Sequence, residues 1–163
     1  MRIIRDYHYV EAEDRGASAA IGNFDGVHIG HQSVIALARS AGDKIDAPLG
    51  VMTFEPHPRQ YFAPQTPSFR LMSAEARASR LAKLGVERLY ELNFNAALSA
   101  LTPREFAQQV IADGLGLRHI VVGADFCFGK DRAGTVTLLQ KYGAKMGFGV
   151  TIAPLLENTA GQV

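Results

Sequence analysis

Cysteine is nearly absent from this sequence, which has only Cys127 among its 163 residues. A single cysteine excludes an internal disulfide and a zinc site built from several cysteines. Such a composition fits the reducing cytoplasm, so we expect a cytoplasmic location. The chain is 47% hydrophobic, and its length suits one domain that buries its own core.

Long apolar runs and an excess of either charge are also missing. No stretch reaches the roughly 20 apolar residues of a transmembrane helix, and the N-terminus lacks the layout of a signal peptide. The net charge is +1, from 17 basic and 16 acidic residues, and the sequence contains no internal repeat. We therefore expect neither nucleic acid nor a membrane as a partner.

Apolar runs alternate with amphipathic stretches, which predicts an α/β fold: a Rossmann-like parallel sheet with helices on both faces. The predicted strands cover 2–4 at an edge, 17–21, 49–54, 86–92, 118–123 and 148–155. The predicted helices cover 30–41, 74–84, 103–114 and 135–146. Gly42 is expected to end the first helix, and 59–72 is predicted to be a loop. Cys127, between two aromatic residues, is predicted to be a buried apolar filler.

The segment from 21 to 32 joins the second predicted strand to the first helix and carries the densest chemical signal. It reads Gly22-Asn23-Phe24-Asp25-Gly26 and then His28-Ile29-Gly30-His31. Backbone N–H groups at a helix N-terminus attract anions, and glycine lets the chain bend or approach a ligand closely. Histidines three residues apart share one face of a helix, where both imidazoles can donate to phosphate oxygens. The segment therefore predicts a phosphate site.

Two further segments also begin where a predicted strand ends. The first is Thr53-Phe54-Glu55-Pro56-His57-Pro58, and the second runs from 122 to 134 and reads VGADFCFGKDRAG. Because the carboxyl ends of parallel strands meet at one edge of a sheet, the three segments predict a single site. A zinc site built from His28, His31, His57 and Asp25 is an alternative, but a glycine-rich helix start suits anions better.

The segment GNFDGVHIGH resembles the signature of the adenylyltransferase module of bacterial bifunctional FAD synthetases (riboflavin kinase/FMN adenylyltransferase). His28-Ile29-Gly30-His31 also reads as the HIGH motif of the nucleotidylyltransferase superfamily. The family has similar T-F-x-P-H-P and V-G-(D/N)-F-x-F-G-K-x-R-x-G segments. The resemblance implies one FMN adenylyltransferase domain over 1–163, of nucleotidylyltransferase type. It also implies transfer of AMP from ATP to FMN with Mg²⁺, giving FAD and pyrophosphate.

The resemblance assigns roles to individual residues, and each assignment is an expectation. The expected catalytic residues are His28, His31 and Asn23. The expected ATP-binding residues are the same two histidines with Gly22, Phe24, Asp25, Gly26 and Gly30. The expected flavin-binding residues are Phe54, Pro56, His57, Pro58, Phe62, Phe106, Asp125 and Phe128. No protein metal ligand is expected, because the nucleotide phosphates hold most of the coordination sphere of Mg²⁺.

The sequence also departs from the family pattern. Family members continue with a Ser-Ser-(Ser/Thr)-x-Ile-Arg motif that contacts the ATP phosphates, and then with a riboflavin kinase module in cis; neither is present in this sequence. Riboflavin kinase activity is therefore not expected here. Besides adenylyl transfer to FMN, two alternatives stay open: non-catalytic binding of flavin or nucleotide, and nucleotidyl transfer to another phosphate substrate.

Overall fold

The structure is a computed structural model that describes residues 1–24, 29–56, 58–65 and 73–154. Within these residues, six strands form one sheet in the order β1-β4-β3-β2-β5-β6. The strands are β1 Arg2–Ile4, β2 Ser18–Ile21, β3 Leu49–Glu55, β4 Arg88–Asn93, β5 His119–Gly123 and β6 Gly149–Ala153. Every neighbouring pair is parallel, which confirms the predicted parallel sheet and its edge strand β1.

Six helices are described, and three of them begin directly after a serine or threonine cap, of which Ser73 and Thr102 are caps that the sequence predicts. The helices are α1 Ile29–Ile45, α2 Pro58–Phe62, α3 Ala74–Lys83, α4 Ala96–Ser99, α5 Pro103–Glu105 and α6 Val136–Met146. Helix α5 continues as a π-helical segment, Phe106–Ala112. Ser73 and Thr135 cap α3 and α6, and Thr102 forms a reciprocal capping box with Glu105. Each cap satisfies an N–H group that has no partner within the helix.

The core lies on both faces of the sheet, because successive side chains of a strand point in opposite directions. On one face, Met52 and Phe54 of β3 belong to a cluster with Phe106 of the π-helical segment and with α6. On the other face, Val51 of β3 packs with a second cluster that includes Ile35 of α1 and Leu81 of α3. Helices therefore cover both faces, as predicted.

The sequence predicted that Gly42 ends the first helix, and this prediction was wrong. Helix α1 passes through Gly42 and continues to Ile45. A Cβ atom at position 42 would lie 2.8 Å from the Ala47 carbonyl oxygen and 3.1 Å from Ser18 Cβ. Glycine is needed at this position because the helix packs closely against its neighbours, so the residue that was interpreted as a stop signal is a packing residue.

The predicted loop over 59–72 begins with a short helix instead. Helix α2 starts at Pro58, and the chain between 58 and 62 is helical. Proline suits the first position of a helix because its missing N–H would have no helical partner there. The prediction was wrong for 59–62, because proline was interpreted only as a residue that prevents regular structure, and 66–72 lies outside the described residues.

The order of the strands places a switch point between β2 and β5. From β2 the chain moves outward through β3 to β4, and it then crosses to the other side of β2 for β5 and β6. In open parallel sheets, ligands bind at such switch points, beyond the carboxyl ends of the strands. A ligand site is therefore expected among the residues that follow β2, β3, β4 and β5.

Candidate active site

A cavity of about 920 Å³ lies at this carboxyl edge of the sheet. Its size is within the usual range for small-molecule sites. Residues that follow four strands line it. The described lining residues are Gly22, Asn23, Phe54, Pro58, Phe62, Ala63, Phe94, Leu98, Ser99, Phe106, Asp125, Phe126, Cys127, Phe128, Gly129, Asp131 and Arg132. The structure therefore brings the three predicted segments together at one cavity.

Neighbouring phenylalanine rings form a continuous apolar surface along the cavity. We call this surface, made of Phe94, Phe54, Phe106, Phe128 and Phe126, the aromatic wall. Successive ring centroids are 5.9, 6.3, 5.8 and 5.7 Å apart in that order. These separations are typical of favourable aromatic packing, and such a wall suits a flat aromatic ligand.

The rim of the cavity beside the aromatic wall comes from α2. Pro58 opens this helix, and Phe62 contacts Phe94 with ring centroids 5.8 Å apart. Phe62 is 68% exposed, so a ligand in the cavity has a large apolar surface still to cover. Pro56 is exposed on the turn before α2 and is not among the described lining residues.

Backbone hydrogen bonds fix the shape of the loop between β5 and α6. Phe128 and Gly134 exchange two backbone hydrogen bonds, and the Lys130 N–H donates to the Leu101 carbonyl at 2.7 Å. Between these anchors, Asp131 and Arg132 have φ values of 58° and 53°. Non-glycine residues adopt this left-handed conformation only where their surroundings enforce it. The loop brings Asp131 and Arg132 to the cavity lining, whereas Lys130 is not among the described lining residues.

Cys127 is exposed and lines the cavity, so its prediction as a buried filler was wrong. Phe126 and Phe128 stack on each other with ring planes only 12° apart. The residue between two stacked neighbours points away from them. Cys127 lies on the cavity lining all the same, with its Sγ 3.6 Å from the Asp125 carbonyl oxygen.

The turn after β2 joins the sheet to α1. The Gly22 N–H donates to the Met52 carbonyl at 3.1 Å, which extends the pairing of β2 with β3 by one residue. Phe24 follows with a φ of 53° and is buried in the core cluster beneath α1. Its ring lies edge-on to the His31 imidazole, with centroids 5.1 Å apart. This contact orients His31, which is half-buried on the first turn of α1 next to Gly30.

Several predicted residues lie outside the described residues. These are Asp25, Gly26, His28 and His57. Three of them belong to the four ligands of the alternative zinc site, so the structure does not address that site. The described residues include no group of three or more histidine, cysteine or acidic side chains that could hold a metal ion. Over the same residues, no helix is long and apolar enough to cross a membrane.

Sequence reasoning missed a buried polar cluster next to the turn. Arg77 of α3 donates from Nη1 to the Asn23 carbonyl at 3.0 Å and from Nη2 to Glu55 Oε2 at 2.8 Å. Glu91 of β4 lies 3.6 Å from the same guanidinium and also accepts from Arg5. A signal was present in the sequence, because Arg77 stands four residues before Leu81 and so shares its buried face.

Sequence analysis also missed the residues that follow β4. The rule that found the other segments, that residues after parallel strands meet at one edge of the sheet, applies to them as well. Phe94 follows β4 directly and reaches the cavity together with Leu98 and Ser99. Helix α4, which carries these two residues, is capped by Asn95, whose Oδ1 accepts from the Leu98 N–H at 2.9 Å. An asparagine after an apolar strand is a helix start signal, and it was the cue available in the sequence.

The fold and the cavity define an α/β protein with an aromatic-walled ligand site at the switch point of a parallel sheet. Comparison with known proteins refines this class. The FAD synthetase family matches residues 10–163, so the chain belongs to that family. This result confirms the resemblance that the GNFDGVHIGH segment indicated.

Curated relatives agree with this family, and a solved structure shares the fold. The chain is 42% identical over 157 residues to the bifunctional riboflavin kinase/FMN adenylyltransferase of Pseudomonas fluorescens, covering 96% of this chain and 50% of the relative. The protein of the same name from Escherichia coli K12 is 36% identical over 152 residues, with coverages of 93% and 49%. The chain thus spans about half the length of these relatives. A crystal structure described as a macrolide-efflux protein from Streptococcus pneumoniae has a TM-score of 0.81 at 29% identity, covering 99% of this chain and 53% of that one.

Proposed function

We propose that this chain binds FMN and ATP in the described cavity and transfers AMP to FMN, forming FAD and releasing pyrophosphate. One observation carries the proposal: a single cavity at the switch point is lined both by the aromatic wall and by Gly22 and Asn23 of the turn that leads to α1. An acceptor with a flat ring at one end and a phosphate at the other matches these two kinds of surface. The FAD synthetase family to which the chain belongs supports the same chemistry.

The aromatic wall would hold the isoalloxazine ring of FMN. Phe54 comes from β3 and Phe106 from the π-helical segment, and their ring centroids are 6.3 Å apart. Phe62 and Pro58 would cover the outer part of the ring from α2. The isoalloxazine carries one ring N–H donor, and the exposed Asp125 carboxylate on the cavity lining offers an acceptor for it.

The turn after β2 and the start of α1 would bind the phosphates of ATP. An FMN phosphate oxygen attacks the α-phosphorus, and the bond from that phosphorus to the bridging oxygen of the β-phosphate breaks. The bonding electrons leave with pyrophosphate. The attacking oxygen is already anionic at neutral pH, so no general base is required, and catalysis depends on positioning and charge stabilisation. His31, with His28, would donate to oxygens that gain negative charge in the transition state.

ATP would enter as its magnesium complex. Asp131 places a carboxylate on the cavity lining, and Mg²⁺ prefers such hard oxygen ligands. Nucleotide-bound Mg²⁺ normally takes only one or two carboxylates and keeps its phosphate and water ligands, so this donor set fits. The ion would neutralise phosphate charge, and Arg132 is a cationic side chain on the same lining.

The proposal is tested by incubating the chain with FMN, ATP and Mg²⁺ and separating the flavins by chromatography. We expect FAD that depends on ATP, and no adenylylated product from riboflavin, which lacks the attacking phosphate. A panel of other phosphate acceptors tests the alternative of a different substrate. Binding of FMN or ATP without FAD formation would contradict transfer and would identify a binding module.

Alkylation of Cys127 gives an independent test of where FMN binds. Cys127 is exposed on the cavity lining next to the aromatic wall, so a maleimide should label it in the folded protein. Saturating FMN should slow the labelling at least about fivefold, because a ligand that fills a cavity buries most of its surface against the lining. The rate is measured by mass spectrometry, with Cys127→Ser as the unlabelled control. An unchanged rate would place FMN elsewhere.

A further inference from the structure

We propose that Arg77 is a positioning residue for adenylyl transfer, acting through the turn that links β2 to α1. The proposal rests on the proposed function, because that function places the ATP phosphates at this turn. Arg77 does not line the described cavity and is not expected to touch either substrate. Its role would be to hold Asn23, which does line the cavity.

The guanidinium of Arg77 joins α3, the turn after β2 and the end of β3 through one side chain. Its side chain is only 4% exposed and extends from α3 across the ends of two strands. One nitrogen donates to the Asn23 carbonyl at 3.0 Å, and the other donates to Glu55 Oε2 at 2.8 Å. Asn23 follows β2 and Glu55 ends β3, so one rigid planar group sets the spacing between the turn and the neighbouring strand.

Nearby carboxylates balance the charge of the buried Arg77 guanidinium. Glu91 lies 3.6 Å from the guanidinium, so two carboxylates face one buried cation. Arg5 contacts the other carboxylate oxygen of Glu91 at 3.2 Å and offsets the second negative charge. Apolar residues usually fill a buried site at lower cost than an ion pair does, so this cluster is better explained by the geometry it imposes than by stability.

The backbone of Asn23 is held by Arg77, whereas its side-chain amide is available to a ligand. Its backbone carbonyl is occupied by Arg77, whereas its side-chain Oδ1 is buried and has no hydrogen-bond partner among the described residues. An unpaired buried acceptor is costly, and it is commonly found where a ligand supplies the missing donor. Arg77 therefore fixes the backbone of Asn23 while the amide remains free to bind a donor group of a substrate.

The expected effect of removing Arg77 is on turnover more than on flavin affinity. The aromatic wall comes from β3, the residue after β4, the π-helical segment and the loop after β5, none of which depends on the contact with Asn23. The turn, in contrast, leads directly into α1 and His31. A displacement of about 1 Å in a catalytic group can cost roughly 100-fold in rate.

The test compares Arg77→Met with Leu81→Ala, a matched variant on the same helix that removes a fully buried side chain and leaves the hydrogen bonds of Arg77 to Asn23 and Glu55 in place. At a temperature where both are folded by circular dichroism, we expect Arg77→Met to lower kcat about 100-fold. The KM for FMN should change less than about threefold in both variants, and Leu81→Ala should keep its kcat within the same range. Arg77→Lys, which retains the charge and a donor but lacks the planar group that bonds Asn23 and Glu55 together, should recover only part of the lost kcat.

An equal loss of kcat in both variants would overturn the proposal, since it would reflect stability alone. If Arg77→Met does not fold, Arg77→Met/Glu55→Gln replaces it, because that pair removes the cation together with the carboxylate that it pairs with, while Arg5 still pairs with Glu91. If the parent chain makes no FAD, the proposed function fails, and hydrogen exchange still tests Arg77. Exchange of the Gly22 amide, which donates to the Met52 carbonyl, should then be faster in Arg77→Met than in Leu81→Ala; equal exchange would refute the positioning role.

Discussion

His31→Ala is expected to lower the rate of FAD formation by about 100- to 1,000-fold, the usual cost of losing one donor aimed at developing negative charge. His31 lies on the first turn of α1, and its ring contacts the buried ring of Phe24. That contact holds the imidazole in place before substrate binds. Because the loss falls in the transition state, kcat should drop while the KM for FMN stays within about threefold of the parent value.

His8→Ala is the control for this experiment, because His8 is an exposed histidine paired with Asp6 and should leave the rate unchanged. A His28→Ala/His31→Ala double variant should be little slower than the worse single variant, because residues that act as a unit are not additive. Rates are measured by chromatography of the flavins under saturating ATP. A loss smaller than about tenfold in His31→Ala would contradict a role in charge stabilisation.

The parts of the fold that the sequence predicted correctly are those with strong local signals. Strands β3 and β5 are apolar runs with clear ends, and α3 and the helix after Thr102 begin at serine and threonine caps whose side chains accept from the first turn of the helix. Capping depends on residues three or four positions apart, so a single sequence shows it directly. The convergence of three strand ends also follows from topology alone.

The missed features depend on contacts between distant parts of the chain. Helices α2 and α4 have five and four residues, which is too short for a periodic pattern. The partners of Arg77 are 54 and 22 residues away, so the sequence shows only a cation on an apolar helix face. Gly42 was misinterpreted for the same reason, since its need for glycine comes from contacts with Ser18 and Ala47.

Different interactions hold the backbone of the candidate site on the two sides of the switch point. Near β2 and β3, the buried cluster of Arg77 and Glu55 holds the backbone with charged hydrogen bonds. On the β5 side, the loop is held by backbone hydrogen bonds and by close packing of glycine against proline and phenylalanine. A rigid phosphate end and a closely packed flavin end would position both reactants, which is the main requirement of a reaction that needs no general base.

Gly129→Ala is expected to destabilise the protein and to weaken FMN binding at the same time. Gly129 has a φ of 78°, and a Cβ atom there would lie 2.7 Å from the Pro103 nitrogen and 2.8 Å from its Cα. These are backbone atoms that cannot move aside, so the loop must shift and weaken the hydrogen bond from the Lys130 N–H to Leu101. The left-handed backbone and the overlap should together lower the free energy of unfolding by about 2–4 kcal/mol.

The loss of FMN affinity follows because the displaced loop carries Phe128 of the aromatic wall and the cavity residues Asp131 and Arg132. We expect the Kd for FMN, measured by flavin fluorescence, to rise at least about tenfold, since one lost apolar or charged contact of 1.4 kcal/mol is sufficient.

Gly147→Ala is the matched control. Gly147 has a φ of 92° at the C-terminal end of α6, and a Cβ atom there meets nothing within 4 Å. This variant should cost only the backbone strain of about 1–2 kcal/mol in denaturant unfolding and should leave the FMN Kd unchanged. The difference between the two variants isolates the contact of the loop with Pro103. If Gly129→Ala lost no more stability than Gly147→Ala and bound FMN as the parent does, the loop would not depend on that contact, and its role in forming the flavin site would be refuted.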